Sequence, residues 1–241
     1  MQVRADRVSV KGPHGTLLSP TSLTVEDGQL AIVHGDPGVG ITAFGLALAG
    51  RIKPSTGTVT LDDTTHAASA EKLRHLVAVV DAHDVSEPEE ALPLRVVVGE
   101  ELALAHQPAG KQDVARWLAE HDAEALAAVR FENIEPTLRT RLLCALAASR
   151  KGIRMLVLDT PDRHTSDVES WSTLAREHAE RGLAVVVLTA TTPLSALVRP
   201  PARVGEETQP PPLVCHEPDP GPETTELEAP VPADDAVGEQ A

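Results

Sequence analysis

The stretch HGDPGVGITAF, His34 to Phe44, decides how the rest of the chain is read. It has the spacing of a phosphate-cradling loop, G-x-x-x-x-G-[K]-[ST], with Gly35, Gly40 and Thr42 in place and Ile41 where that frame carries lysine. Glycines in such a turn let backbone N–H groups approach an anion, and the start of a helix adds partial positive charge. A strand-like run, LAIVH, leads into the loop, and TAFGLALAGRI after it has the apolar spacing of a helix. Strand, glycine loop and helix in that order are the context the frame requires.

Upstream, VRADRVSV, the turn GPHG and LTVEDGQLAIVH read as a β-rich segment, with Asp27-Gly28 as a turn signal. Downstream, KPSTGTVTLDD gives a turn and a short β segment, and LVAVVDA (Leu76 to Ala82) is an aliphatic run suited to a buried strand. From about residue 84 to 150 helical patterns dominate: LRVVVGEELALAH, QDVARWLAEHDAEALAAVR and LRTRLLCALAAS. MLVLD and AVVVLTA then flank the helical DVESWSTLAREHAERG, and strands alternating with helices predict a parallel, doubly wound sheet. The expected fold is therefore α/β, a phosphate-loop-type parallel sheet flanked by helices, with an N-terminal antiparallel β subdomain and a helical insertion.

Composition agrees. The chain has 241 residues, two Phe, two Trp and no Tyr, so its core must be aliphatic. The net charge of -15 argues against a nucleic-acid or anionic-membrane surface. Ten acids against the single Arg203 lie between Pro200 and Ala241, together with ten of the 20 prolines, so that end carries most of the imbalance. Residues 197–241 are expected to be an acidic, Pro-rich disordered tail after a domain spanning 1–196. Cys144 and Cys215 offer no disulfide framework, and the scattered histidines give no metal-site spacing. Neither a signal peptide nor a membrane-spanning run is visible, which predicts a cytoplasmic chain with no direct membrane insertion. Trp117 and Trp171, each in a helical segment, are expected core anchors.

The order of these pieces resembles the ATP-binding cassette (ABC) family, the nucleotide-binding subunits of ABC transporters. GTVTLDD is similar to the family's "GTVTLDG", LRTRLLCALAAS to "QRQRVALARAL", and MLVLDTPD to "LLLLDEPT"; the likeness covers roughly residues 1 to 196. It implies ATP and Mg2+ as cofactors, the nucleotide held by Gly35, Asp36, Pro37, Gly38, Val39, Gly40, Ile41, Thr42 and Ala43, and the metal by Thr42 and Asp159. It also implies a homo- or heterodimer, and a membrane-spanning transporter-like subunit that holds the chain peripherally at the inner face of the membrane.

The family's reactive side chains are missing. Ile41 offers no donor to phosphate, a loss of about 1.5–3 kcal/mol or roughly 10- to 100-fold in binding, and Arg51 and Lys53 are the cations available to compensate. Thr160 stands where the family has the glutamate that polarises water, so no catalytic residue is assigned. Ala190 replaces the switch histidine, and the glutamine after LVAVV falls at Ala82, between Asp81 and His83. No aromatic for adenine lies near Val10 to Gly12; His14 is read either as a substitute or, in preference, as a turn histidine in solvent. The signature LSGGQ aligns with Ile134, Glu135, Pro136, Thr137 and Leu138, and Glu135 would repel a dimer partner's γ-phosphate. Two functions follow: a divergent ABC-type protein with weak ATP binding and little or no hydrolysis, or a non-catalytic adaptor that keeps the fold as a scaffold.

Overall fold

The computed structural model describes residues 1–13, 15–62 and 70–216. The N-terminal segment forms two long strands, β1 (Gln2–Gly12) and β2 (Gly15–Glu26), which pair as an antiparallel hairpin. His14, read as a turn histidine or a substitute for the adenine-stacking aromatic, lies outside the described residues. The chain turns at Gly28 into β3 (Gln29–His34), passes through the glycine loop into α1 (Ile41–Leu48), and returns as β4 (Thr56–Leu61). β4 pairs with β1, completing a three-stranded antiparallel sheet in the order β2-β1-β4.

A short helix, α2 (Ala70–Leu76), which no periodicity announced, feeds β5 (Val77–Val80). The insertion follows as α3 (Leu94–Leu104), α4 (Lys111–Glu120) and α5 (Pro136–Ala148). The helical pattern over 112–130 is cut short: α4 ends at Glu120, Asp122 takes a left-handed φ of 56°, and a 3-10 turn spans Glu124–Leu126. After α5 come β6 (Met155–Asp159), α6 (Val168–Glu180) and β7 (Ala184–Thr189).

The second sheet has the order β5-β6-β7-β3, and the pairs along it are parallel. Successive side chains of a strand point to opposite faces. Val77, Val79, Met155, Val157, Val186 and Leu188 accordingly join a core with α1 and the antiparallel sheet. Ala78, Val80, Leu156, Leu158, Val185 and Val187 join a second core with α3, α5 and α6. Both faces are covered, which is why these strands read as unbroken aliphatic runs. Trp171 and Trp117 are buried in that second core, as expected of anchors.

The boundary expected at residue 197 is displaced. Residues 197–216 are ordered along the free edge of β3: β8 (Ala202–Arg203) pairs parallel to Val33 and His34, and β9 (Leu213–Val214) pairs antiparallel to Gln29 and Leu30. Backbone pairing to an otherwise open edge supplies what the proline-rich composition concealed. The remainder of the expected disordered tail, 217–241, lies outside the described residues.

Candidate functional site

In a parallel sheet all strands end at the same rim, and loops from that rim build binding sites. Register decides which loops meet here. His34 is level with Thr189, and Asp159 is level with Leu188, so the loop after β3 emerges beside the ends of β6 and β7. Gly35 N–H donates to the Thr189 carbonyl at 3.1 Å, anchoring the loop's first residue. Val39 N–H donates to the Asp36 carbonyl at 3.2 Å, closing the turn through Pro37 and Gly38.

The loop's last glycine carries the sharpest constraint. Gly40 caps α1 at φ 79°, and a Cβ there would sit 2.3 Å from the Leu17 carbonyl oxygen of β2. No side chain caps α1, so the first-turn amides of Ile41, Thr42 and Ala43 have no intrahelical acceptor. Asp36, Pro37 and Gly38 are exposed on the rim, and Val39 is half-buried. The nine residues expected to hold a nucleotide are thus contiguous in space as in sequence, with one exception in direction. Ile41 is 6% exposed and belongs to the same buried cluster as Val33, Phe44, Val157 and Leu188.

The two expected metal ligands meet. Thr42 Oγ1 donates to Asp159 Oδ2 at 2.8 Å and lies 3.1 Å from Oδ1. Burial raises the Asp159 carboxyl above its ordinary range, against the bond from Thr42 and the charge of Arg163. A hydroxyl beside a carboxylate is the donor set a hard cation takes, and Mg2+ commonly uses one or two such groups plus phosphate and water. These residues fit that ion.

Thr160, at the position of the family's water-activating glutamate, is held left-handed at φ 46°. Its N–H donates to the Leu188 carbonyl at 2.9 Å. Arg51 and Lys53 are misplaced as compensating cations. They follow the opposite end of α1, about 12 Å along an eight-residue helix. Burial, then the neighbouring charges of Arg150 and Arg74, lower the Arg51 pKa, which places that side chain among cations rather than near the loop.

The cation near the site is one that motif reading passed over. Arg163 Nη1 lies 3.4 Å from the Asp159 carbonyl oxygen, and its Nη2 pairs with Asp81 at 3.2 Å and Glu87 at 3.1 Å. Asp81, at the end of β5, also takes two bonds from Arg139 of α5, at 2.9 and 3.1 Å, and faces His164 Nε2 at 3.1 Å. Burial opposes ionisation of Asp81, but the bonds from His164 and Arg139 and the charges of Arg139 and Arg163 outweigh it, and its pKa is lowered. Arg139 is 3% exposed and stacks over Phe131 at 4.4 Å. Ala82, where the family glutamine aligned, is wholly buried, so Asp81 is the polar group at that strand end. His83, Asp84 and Glu87 bring ligand atoms within 4.8 Å of one another, a grouping that histidine spacing did not announce. The Arg163 pair to Glu87 sets a fixed positive charge against any cation there.

Asp162 fills the place beside the missing switch histidine. Its Oδ2 accepts from Ala190 N–H at 3.0 Å, Thr191 N–H at 2.6 Å, Thr192 N–H at 2.9 Å and Thr189 Oγ1 at 2.7 Å. Burial opposes its ionisation, and these donors outweigh burial, so its pKa is lowered. The segment after β7 is therefore tied by backbone to the turn after β6. At the aligned signature, Glu135 caps α5, accepting from Thr137 and Leu138 N–H at 2.9 and 2.8 Å. Pro136 occupies the first helical position, where its missing N–H costs nothing.

Comparison with known proteins gives the following. The model of the family described as "ABC transporter" matches residues 18–163, more than half of the chain. An ABC transporter ATP-binding/permease protein of Mycobacterium tuberculosis is 29% identical over 182 residues, covering 72% of this chain and 21% of that protein. The chain thus spans about a fifth of the length of this curated relative. Among solved structures, a nucleotide-free ATP-binding cassette from an ABC transporter superposes with a TM-score of 0.61 at 12% identity, covering 87% of this chain and 92% of the other. An ATP-binding subunit of an ABC transporter gives 0.59 at 16% identity, covering 87% and 90%.

Proposed function

This chain belongs to the ABC transporter family, and from that premise we infer that it binds Mg-ATP weakly at the Gly35–Ala43 loop and hydrolyses it slowly or not at all. One observation carries the reading: the Thr42 hydroxyl sits on the Asp159 carboxylate at 2.8 Å, while the neighbouring Ile41 is buried in the core. The main-chain cradle and metal donors are together; the phosphate-pairing charge is absent.

Bound Mg2+ would neutralise phosphate charge between Thr42 and Asp159. The chain's own contribution is positional. The open amides at the start of α1 orient phosphate, and Gly40 keeps the loop's last turn close to β2. Thr160 has no carboxylate to accept a proton from attacking water, and Ala190 leaves that side of the site with backbone donors already bound to Asp162. Glu135 holds its negative charge where the signature serine would face a second subunit's phosphate, which disfavours completion of a site in trans.

The reading extends to a dimer, in this chain or with a related one, and to a membrane-spanning partner. Support for the latter is the family and the permease portion named in the mycobacterial relative. Among the described residues no helix is long and apolar enough to cross a membrane. The second reading is an adaptor that uses the fold as a scaffold and binds proteins through the acidic C-terminal sequence or the helical insertion.

Equilibrium binding of labelled ATP, with and without Mg2+, tests the proposal on the unaltered chain and on Ile41→Lys. The long stem of the lysine can carry its charge out of the core pocket that Ile41 fills, so the variant is expected to bind up to roughly 10- to 100-fold more tightly, the worth of a charge-assisted contact, and still to release little phosphate. No binding by either form would leave the adaptor reading, and rapid phosphate release by the unaltered chain would end the first one.

A further inference from the structure

Arg163 is bonded well through two of its three guanidinium nitrogens and poorly through the third. Its Nε donates to His164 Nε2 at 2.9 Å, and its Nη2 meets Glu87 at 3.1 Å and Asp81 at 3.2 Å. Nη1 reaches instead to the Asp159 carbonyl at 3.4 Å and to Thr160 Oγ1 at 3.5 Å. Both distances are longer than a good N–H···O bond, so the Nη1 hydrogens have neighbours without a strong acceptor. The side chain is 20% exposed: held, yet open at the rim.

Its carboxylate neighbours do not consume its charge. Asp81 already takes two bonds from Arg139, at 2.9 and 3.1 Å, and Glu87 faces His83 Nδ1 at 2.9 Å. Arg139, the other guanidinium at this strand end, is 3% exposed and committed to Asp81. The charge of Arg163 is felt at the metal donors: burial is the leading influence on the Asp159 carboxyl and raises its pKa, while the Thr42 bond and Arg163 pull it down.

Topology sets the direction of approach. β6 lies between β5 and β7, so the glycine loop, which follows β3, rises on the β7 side of Asp159, and Asp81 ends β5 on the other side. An anion held by the loop amides and by a cation on Thr42 and Asp159 therefore has the loop on one flank and Arg163 on the other.

On the reading that Mg-ATP binds at the Gly35–Ala43 loop, we propose that Arg163 is the phosphate-facing cation of this site, its Nη1 taking the terminal phosphate from the flank opposite Ile41. Asp81 and Glu87 hold Nη2 and thereby aim Nη1, and a guanidinium already held loses little freedom when an anion arrives. Arg163 shares its charge with Glu87, so it replaces the missing lysine only in part. A diphosphate lacks the group that Nη1 meets, and the arginine accordingly selects ATP over ADP.

Equilibrium binding of labelled ATP and of labelled ADP to the full chain, each with Mg2+, tests this. The unaltered chain is expected to hold ATP more tightly than ADP. Arg163→Met should loosen ATP about tenfold, the low end for a charge-assisted contact, and ADP by less than about twofold. Arg163→Lys keeps the charge and should loosen ATP by about threefold or less. Glu87→Gln removes a competing negative charge while Asp81 still holds Nη2, and should tighten ATP about threefold, the worth of one screened charge several ångströms away. An arginine that merely braces the rim would move ATP and ADP together, and Glu87→Gln would then loosen both. Either result overturns the role of Arg163 while leaving ATP binding by the unaltered chain in place. No ATP binding by the unaltered chain would end the underlying reading, and this one with it.

Discussion

Thr42 and Asp159, separated by 117 positions in the chain, share a hydrogen bond of 2.8 Å at the rim of the parallel sheet. Removing the donor in Thr42→Val leaves a buried carboxylate short of a partner, and unfolding in urea should show a loss of about 1–3 kcal/mol. Thr42→Ser should retain most of that stability. The Mg2+-dependent part of any ATP-induced rise in Tm should vanish in the valine variant and persist in the serine variant.

Asp159 itself has a raised pKa because burial disfavours its charge. The folded state therefore binds this proton more readily than the unfolded state, and an ionised Asp159 destabilises the fold at neutral pH. The penalty fades as pH falls through the raised folded value toward the unfolded value. Asp159→Asn, which keeps an acceptor for Thr42, should raise Tm at pH 7 and give no gain near pH 3. Equal Tm gains at both pH values would contradict this.

The Asp81–Arg139 pair predicts the opposite limb. Asp81 and Asp162 have lowered pKa values, so their stabilisation is complete above the unfolded carboxylate value and is lost as pH falls through it toward their folded values. Acid unfolding should set in below about pH 4. Asp81→Ala leaves the Arg139 charge buried and should cost about 3–5 kcal/mol in chemical denaturation. The double change Asp81→Leu with Arg139→Met should recover much of that loss, since no lone charge remains.

Thr160 holds a left-handed backbone that suits a β-branched residue poorly. Relief in Thr160→Gly should exceed the entropy that glycine adds to the unfolded chain, for a net gain of about 0.5–1 kcal/mol. Thr160→Val keeps the branch and should gain nothing. Thr160→Glu restores the carboxylate but not Ile41 or Ala190, so its phosphate release should stay near that of the unaltered chain.

Much of this site was legible because its parts are local. Gly40 and Thr42 lie within one turn, and a strand–loop–helix sequence sets their geometry whatever surrounds it. MLVLD ends on Asp159 because a strand buried on both faces turns polar only where it leaves the sheet. Arg163 and Asp162 were not legible as site residues. Each gains its role from partners far along the chain: Asp81 and Glu87 for one, and the amides after β7 for the other. The cations Arg51 and Lys53 looked close because they are close in number, yet a helix carries them to its far end. Composition also misread residues 197–216, since prolines and acids give no hint that Ala202 and Leu213 meet a free strand edge.

Sequence by itself determined the alternation of strands and helices, the glycine spacing of the loop and the identities of Ile41 and Thr160, because these depend on periodicity and residue identity alone. Tertiary structure decided where charge lies. Burial and long-range pairing set the direction of every carboxyl shift at Asp81, Asp159 and Asp162, and both depend on which segments the sheet register brings together.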